Sequence, residues 1–190
     1  MALIALVAAF FLDHATAAWI SAHSSPELKR IMQTVSKVGD WPAHFIAGLI
    51  GIAIAFVARS KTWMRIFLAM LIAMALAGLT GRTIKFATGR ARPSIKTEVH
   101  WNGPRFSSKY HAFPSGHVAA STAFFATLFL ARKKIGAPLL LIPLIIALSR
   151  LIVGAHYLSD VTFAAILGAI SALLAAHWFS IRDPQSAIRH

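Results

Sequence analysis

Residues 158–179 read LSDVTFAAILGAISALLAAHWF. One charge, Asp160, stands near the start, and beyond it the segment is apolar or small apart from Thr162, Ser171 and His177. A hydrocarbon slab of about 30 Å is crossed by roughly 20 mostly apolar residues in a helix, so this segment reads as a membrane span. Moving outward, four more runs have the same character, at 41–57, 63–79, 112–131 and 135–153. The last contains Pro138 and Pro143, which kink a helix yet are tolerated in membranes when neighbours satisfy the freed carbonyls. A sixth run, 2–12, covers only about 16 Å by itself. It reaches spanning length by continuing through Asp13 and His14 to Ile20. A rival reading makes it a cleaved signal peptide ending at Ala15-Thr16-Ala17, but no basic segment precedes the apolar run, so a short first helix is preferred.

The whole chain agrees with this reading. Of 190 residues, 57% are hydrophobic and 13% charged, and mean hydropathy is +0.67; soluble domains carry about twice that share of charge. The balance is basic, 19 Lys plus Arg against 6 Asp plus Glu, for a net +13. Nucleic-acid binders are basic but highly charged overall, and disordered chains are not hydrophobic, so both classes are excluded. No cysteine is present, which rules out disulfides, thiolate nucleophiles and Cys-ligated metals. The expected fold is all-α: a polytopic membrane helix bundle in one domain over 1–190, of six spans with the first one short.

Between the spans, residues 21–40 are polar, with Leu28, Ile31, Met32 and Val35 at helical spacing, the pattern of an amphipathic helix at the interface. Residues 82–111 form the longest polar stretch, read as an extramembrane loop at the active site, and long loops in compact proteins usually carry function. Trp41, Trp63, Trp101 and Trp178 fall near predicted helix ends and read as an interfacial aromatic belt. Gly48 with Gly51, and Gly78 with Gly81, read as points of close helix approach. His14, His44 and His177 read as packed or hydrogen-bonded histidines without a chemical role.

The loops divide the charge between two faces. One carries Arg59, Lys61, Arg65, Arg132, Lys133, Lys134, Arg182 and Arg189, offset by Asp183. On the other, Asp13, Glu27 and Asp40 cancel Lys29, Arg30 and Lys37, leaving the excess of the 82–111 loop. Short loops set orientation, so the Arg132-Lys133-Lys134 face is expected to be cytoplasmic and the long loop to face outward.

Three polar clusters then converge on that outer face: Lys85 with Arg92-Pro93; Pro114-Ser115-Gly116-His117; and Ser149-Arg150 with His156 and Asp160. Lys85, Arg92 and Arg150 suit an anion with several oxygens, since the arginine fork matches phosphate. Ser115 and Gly116 open a helix, where free N–H groups and the dipole favour the same anion. His156 and Asp160 are four apart, so the carboxylate can hold one ring nitrogen protonated and leave the other as a nucleophile. His117 can protonate a leaving oxygen. A zinc site at His117, His156 and Asp160 is disfavoured by the surrounding cations, so neither metal nor cofactor is expected.

At these residues the sequence resembles the type 2 phosphatidic acid phosphatase superfamily, the lipid phosphate phosphatases. That family's signature is Lys, six residues, Arg-Pro; then Pro-Ser-Gly-His; then Ser-Arg, five residues, His, three residues, Asp. Every position is matched here, and the likeness covers about 41–179. It implies a six-helix membrane bundle with metal-independent activity, His156 as nucleophile, Asp160 as its orienting partner, His117 as acid, and Lys85, Arg92, Ser115, Gly116 and Arg150 as phosphate ligands. It also implies a bacterial inner-membrane enzyme with its site on the outer face, hydrolysing a lipid phosphate or diphosphate through a phosphohistidine. The motifs do not choose among undecaprenyl diphosphate, phosphatidylglycerophosphate, phosphatidate and lipid A phosphates; the reading leans to undecaprenyl diphosphate. The expected partners are anionic phospholipid or polyprenyl diphosphate substrate and the surrounding membrane lipids. Phosphoryl transfer to another lipid would use the same residues, and a vanadate-dependent haloperoxidase has a similar anion site but is soluble. The first helix here is short for the family.

Overall fold

A computed structural model describes residues 1–95 and 97–181. Arg182, Asp183 and Arg189 of the charge count, and Lys96 of the long loop, lie outside the described residues. The order is α1 (Ala2–His23), α2 (Pro26–Val38), α3 (Trp41–Val57), α4 (Lys61–Thr88), α5 (Gly116–Ala131), α6 (Lys133–Leu139), α7 (Leu141–Ile152) and α8 (Leu158–Trp178). Among the described residues the other regular features are one 3₁₀ turn, Ser108–Tyr110, and an isolated β-bridge between Arg90 and Trp101. By length and composition α1, the α2–α3 segment, α4, the α6–α7 pair and α8 can cross a membrane, and α5 is a shorter apolar helix of 16 residues.

Local chemistry explains the boundaries. Ser25 caps α2 by accepting the Leu28 N–H, Pro26 fills its first position, and Asp40 caps α3 by accepting the Trp41 N–H. The α6–α7 segment breaks at Leu140 between Pro138 and Pro143, where prolines remove intrahelical donors.

Two sequence expectations change here. The first helix, expected to be short, runs 22 residues through Asp13 and packs against α8. The supposed loop at 82–111 begins later, because α4 continues to Thr88 and places Lys85 in its last turn. Gly89 ends α4 at φ 53°, in the left-handed region that glycine tolerates.

α5 is the central helix, packed most extensively against α8 and α4. The shared core is rich in alanine (Ala69, Ala73, Ala77, Ala119, Ala123, Ala164), with Ile66, Met70, Val118 and Phe124 filling between. Small residues let helix backbones approach in a membrane: a Cβ at Gly168 of α8 would sit 2.7 Å from the Ala119 carbonyl oxygen of α5. Gly48 and Gly51 face Leu71 and Phe67 of α4 as expected, whereas Gly78 faces open space and Gly81 makes only ordinary contacts. The amphipathic α2 docks on α7, where Ser36 and Ser149 share a buried hydroxyl hydrogen bond of 2.8 Å.

One end of the bundle is marked by Arg132 over the Trp63 ring at 5.6 Å and by Arg65 donating to the Phe179 carbonyl at 2.7 Å. The opposite end carries the 89–115 connection, the α2–α3 junction and the α7–α8 turn.

Candidate active site

All eight residues singled out from sequence lie at that opposite end. Lys85 closes α4, Ser115 caps α5 with Gly116 and His117 in its first turn, Arg150 closes α7, and Asp160 lies in the first turn of α8. The 89–115 connection ties them together by backbone pairing. Arg90–Arg92 bonds on both sides: Ala91 N donates to His100 O and Asn102 N to Gly89 O, while Arg92 N donates to Lys109 O and Ala112 N to Arg90 O. Lys85 Nζ reaches the His111 carbonyl at 2.8 Å, and Ser115 N donates to Asp160 O at 3.1 Å.

Lys85, Arg92 and Arg150 lie within electrostatic reach of one another and of His117. Among the described residues none of the three forms an ion pair. Among the described residues, the Nε atoms of Arg92 and Arg150 and the hydroxyl of Ser115 are buried without a hydrogen-bond partner. Buried donors left unpaired are costly, and here they surround a helix start whose first N–H groups have no intrahelical acceptor. A Cβ on Gly116 would meet nothing within 4 Å, so the space above this helix start is open. Such an arrangement can receive an oxyanion.

His156 is 4% exposed. Its Nδ1 lies 2.6 Å from the Ala112 carbonyl oxygen; a carbonyl only accepts, so Nδ1 carries the proton and Nε2 is the free nitrogen. This alters the expected role of Asp160. Its Oδ2 is 3.7 Å from Nδ1, and both carboxylate oxygens are engaged elsewhere, Oδ2 accepting from Tyr157 N at 2.7 Å and Oδ1 from Arg90 Nη1 at 2.5 Å. Asp160 therefore acts on the ring mainly through charge, and a main-chain carbonyl fixes the tautomer. Burial pulls the His156 imidazole down to about 4, against the raising influence of Asp160, so it is neutral at pH 7.

His117 Nε2 lies 3.3 Å from Asp40 Oδ1 at the α2–α3 junction. An apolar cleft of about 500 Å³ runs between α2, α3, α5 and α7, lined by Val35, Ala43, His44, Phe124, Ile142 and Ile146 among others, without His117 or Asp40. His44 is buried and bonded to the Asp40 carbonyl at 3.0 Å, as its packed reading predicted.

Sequence reasoning missed four contributors: Arg90, Asp13, Asp40 and the Ala112 carbonyl. The signal for Asp13 was available, since a carboxylate within an apolar helix needs a partner. Trp101, read as part of an interfacial belt, instead lies 4.7 Å from the Arg90 guanidinium.

A model of the PAP2 superfamily matches residues 66–184. The chain belongs to the PAP2 superfamily. Among curated PAP2-like relatives, a lipid A 1-phosphatase of Rhizobium johnstonii is 32% identical over 178 residues, covering 85% of this chain and 72% of that protein. A decaprenylphosphoryl-5-phosphoribose phosphatase of Mycolicibacterium smegmatis is 32% identical over 130 residues, covering 68% and 67%. The fold is that of a transmembrane PAP2 type phosphatidylglycerolphosphate phosphatase from Bacillus subtilis, with TM-score 0.72, 22% identity, and 99% and 95% of the two chains covered. It is also that of Aquifex aeolicus LpxE, with TM-score 0.63, 22% identity, and 87% and 95% covered. This PAP2 chain is a multi-pass membrane protein and a phosphoric ester hydrolase.

Proposed function

We propose that this protein hydrolyses a phosphate or diphosphate carried by a lipid, through a phosphohistidine on His156. The observation that carries the proposal is the convergence of Lys85, Arg92 and Arg150 on the start of α5 beside a neutral His156, with the three cations free of ion pairs and the His156 Nε2 unengaged among the described residues. Nε2 attacks phosphorus, the bond from phosphorus to the lipid oxygen breaks, and His117 gives that oxygen a proton. Water then attacks the phosphohistidine, the P–N bond breaks, and His117 takes up a proton from the water. Phosphoryl transfer of this kind depends on positioning and charge stabilisation, which the three cations and the helix start supply.

The membrane-spanning helices and the lipid-phosphate relatives support a lipid as the leaving group. We place lipid A 1-phosphate first among substrates, ahead of the undecaprenyl diphosphate favoured from sequence, on the likeness to the Rhizobium johnstonii lipid A 1-phosphatase over 85% of the chain. We also place the protein in a bacterial inner membrane with the site on the outer face, in keeping with the basic short loops at the other end.

The test is phosphate release by purified protein from lipid A, polyprenyl diphosphate, phosphatidylglycerophosphate and phosphatidate, each with and without EDTA. Release abolished by His156→Ala and His117→Ala, retained in His177→Ala and indifferent to EDTA is expected. Full activity in His156→Ala refutes the mechanism, and activity lost in EDTA and restored by zinc supports a metal. Labelled phosphate recovered on a second lipid instead of in water identifies a transferase.

A further inference from the structure

We propose that Arg90 is a positioning residue of the active site and that Asp13, from α1, holds it there. The inference rests on the reading of His156 as the nucleophile.

Arg90 is 4% exposed and Asp13 2%. Arg90 Nη1 donates to Asp160 Oδ1 at 2.5 Å and to Ser159 Oγ at 2.7 Å, and Nη2 donates to Asp13 Oδ2 at 2.6 Å. Asp13 accepts in addition from Ser159 N at 2.8 Å and from the Ser159 hydroxyl at 2.6 Å. The guanidinium is enclosed by the rings of Tyr157, Trp101 and Phe10, at 4.4, 4.7 and 5.5 Å, a setting that favours arginine over lysine. Arg90 thus differs from Arg92 two residues on: its Nη groups are consumed inside the protein and are not offered to a ligand.

Two routes lead from Arg90 to His156. Through the side chain, Arg90 fixes one oxygen of Asp160 while Tyr157 N fixes the other, which sets the carboxylate's orientation toward the ring. Through the main chain, the Arg90 carbonyl accepts from Ala112 N at 3.0 Å, and the Ala112 carbonyl accepts from His156 Nδ1 at 2.6 Å. A shift of Arg90 therefore disturbs both groups that face Nδ1. Asp13 resists that shift from the far side and lies outside the residues matched by the PAP2 model. A misplacement of about 1 Å at a reacting group can cost on the order of a hundredfold in rate.

The experiment uses full-length protein in detergent, labelled with ¹⁵N-histidine, as wild type, Asp13→Asn, Asp13→Glu, Arg90→Lys and His156→Ala. The His156 ring signals are those absent from His156→Ala. Wild type is expected to show a single tautomer protonated at Nδ1, and Asp13→Asn a mixture of both. In Asp13→Asn, kcat falls about ten- to a hundredfold, while KM and the inhibition constant for orthovanadate stay within about twofold, because neither residue touches the phosphate. Asp13→Glu recovers part of kcat. Asp13→Asn is close to isosteric, so it carries the test even where Arg90→Lys does not fold. A folded Asp13→Asn protein with one tautomer and wild-type kcat overturns the proposal, as does a loss that falls on KM and vanadate binding alone. Wild type inactive on every lipid defeats the phosphatase reading instead, and the tautomer comparison still decides the role of Asp13.

Discussion

Replacing Asp160 by Asn separates the two tasks that a carboxylate beside a nucleophilic histidine can perform. In the proposed reaction the imidazole becomes cationic as Nε2 bonds to phosphorus, and Asp160 Oδ2 faces the ring at 3.7 Å from Nδ1. With an effective dielectric of about 20, unit charges at that separation attract by about 4 kcal/mol. Arg90 on the other oxygen offsets part of this, and taking half away leaves about 2 kcal/mol. At 1.4 kcal/mol per factor of ten, kcat should fall between about thirtyfold and a thousandfold. It should not fall to the level of His156→Ala, because the Ala112 carbonyl still holds the Nδ1 proton. The assay is phosphate release together with rapid-quench trapping of an alkali-stable, acid-labile phosphoenzyme, with thermal melting to establish the folded fraction. A loss near 10⁴, the size associated with an imidazole in the wrong tautomer, would refute the reasoning by making Asp160, not Ala112, the group that sets the tautomer. An unchanged kcat would refute it from the other side.

Three further outcomes can be measured. Gly168→Ala sets a methyl within 2.7–2.9 Å of Ala119 O, Thr122 Cβ and Ala123 N and should destabilise the bundle by about 1–3 kcal/mol; Gly78→Ala, with nothing within 4 Å, should alter melting by less than about 1 kcal/mol. Burial lowers the His156 imidazole from 6.5 to about 4, so between those values the unfolded chain binds a proton that the folded protein excludes. His156 should accordingly contribute a loss of stability of about 3 kcal/mol as pH falls through that window, and His156→Gln should remove that contribution from the decline in a melting series. Asp40→Asn removes the carboxylate beside His117 and should slow release of a poor leaving group such as a lipid alcohol by about tenfold while barely affecting p-nitrophenol; equal losses on both would remove Asp40 from the protonation step.

The residues proposed to meet a substrate were readable because their chemistry is unusual where it stands. Three cations, two histidines and a Pro-Ser-Gly helix start all lie at helix ends that alternate topology brings to one face. What escaped was the support behind them. Arg90 sits in a stretch of seven basic residues, and nothing in its neighbours distinguishes an arginine turned inward from one turned to a ligand. Its inward turn depends on Gly89 ending α4 and on two flanks of backbone pairing that join residues far apart in sequence. Asp13 was visible as an intruder in an apolar run, but its partner lies 77 residues away. The Ala112 carbonyl carries no side-chain signal at all. The boundary of α4 was misplaced for a related reason: Arg82, Thr83, Lys85 and Thr88 look like loop, yet the helix continues beyond the apolar stretch with their polar ends near its exit.

The brevity of α5 sets a depth. Its last turn is level with the first turn of α4, where Arg132 covers Trp63, yet its 16 residues rise only about 24 Å from there, less than the roughly 30 Å of a hydrocarbon slab. On the proposed placement, with the basic end at one membrane surface, the floor of the proposed oxyanion cradle would lie below the plane in which lipid phosphates normally float. In that arrangement a substrate would sink its head by several ångströms, out of water and between walls of α4, α7 and α8, before the proposed nucleophile His156 could reach it. A phosphate on a lipid is held close to that level by its own chain, whereas a soluble phosphoester has to descend unaided. On the proposed reading, the length of one helix would thus sort substrates by how far they are anchored, before any side chain reads their shape.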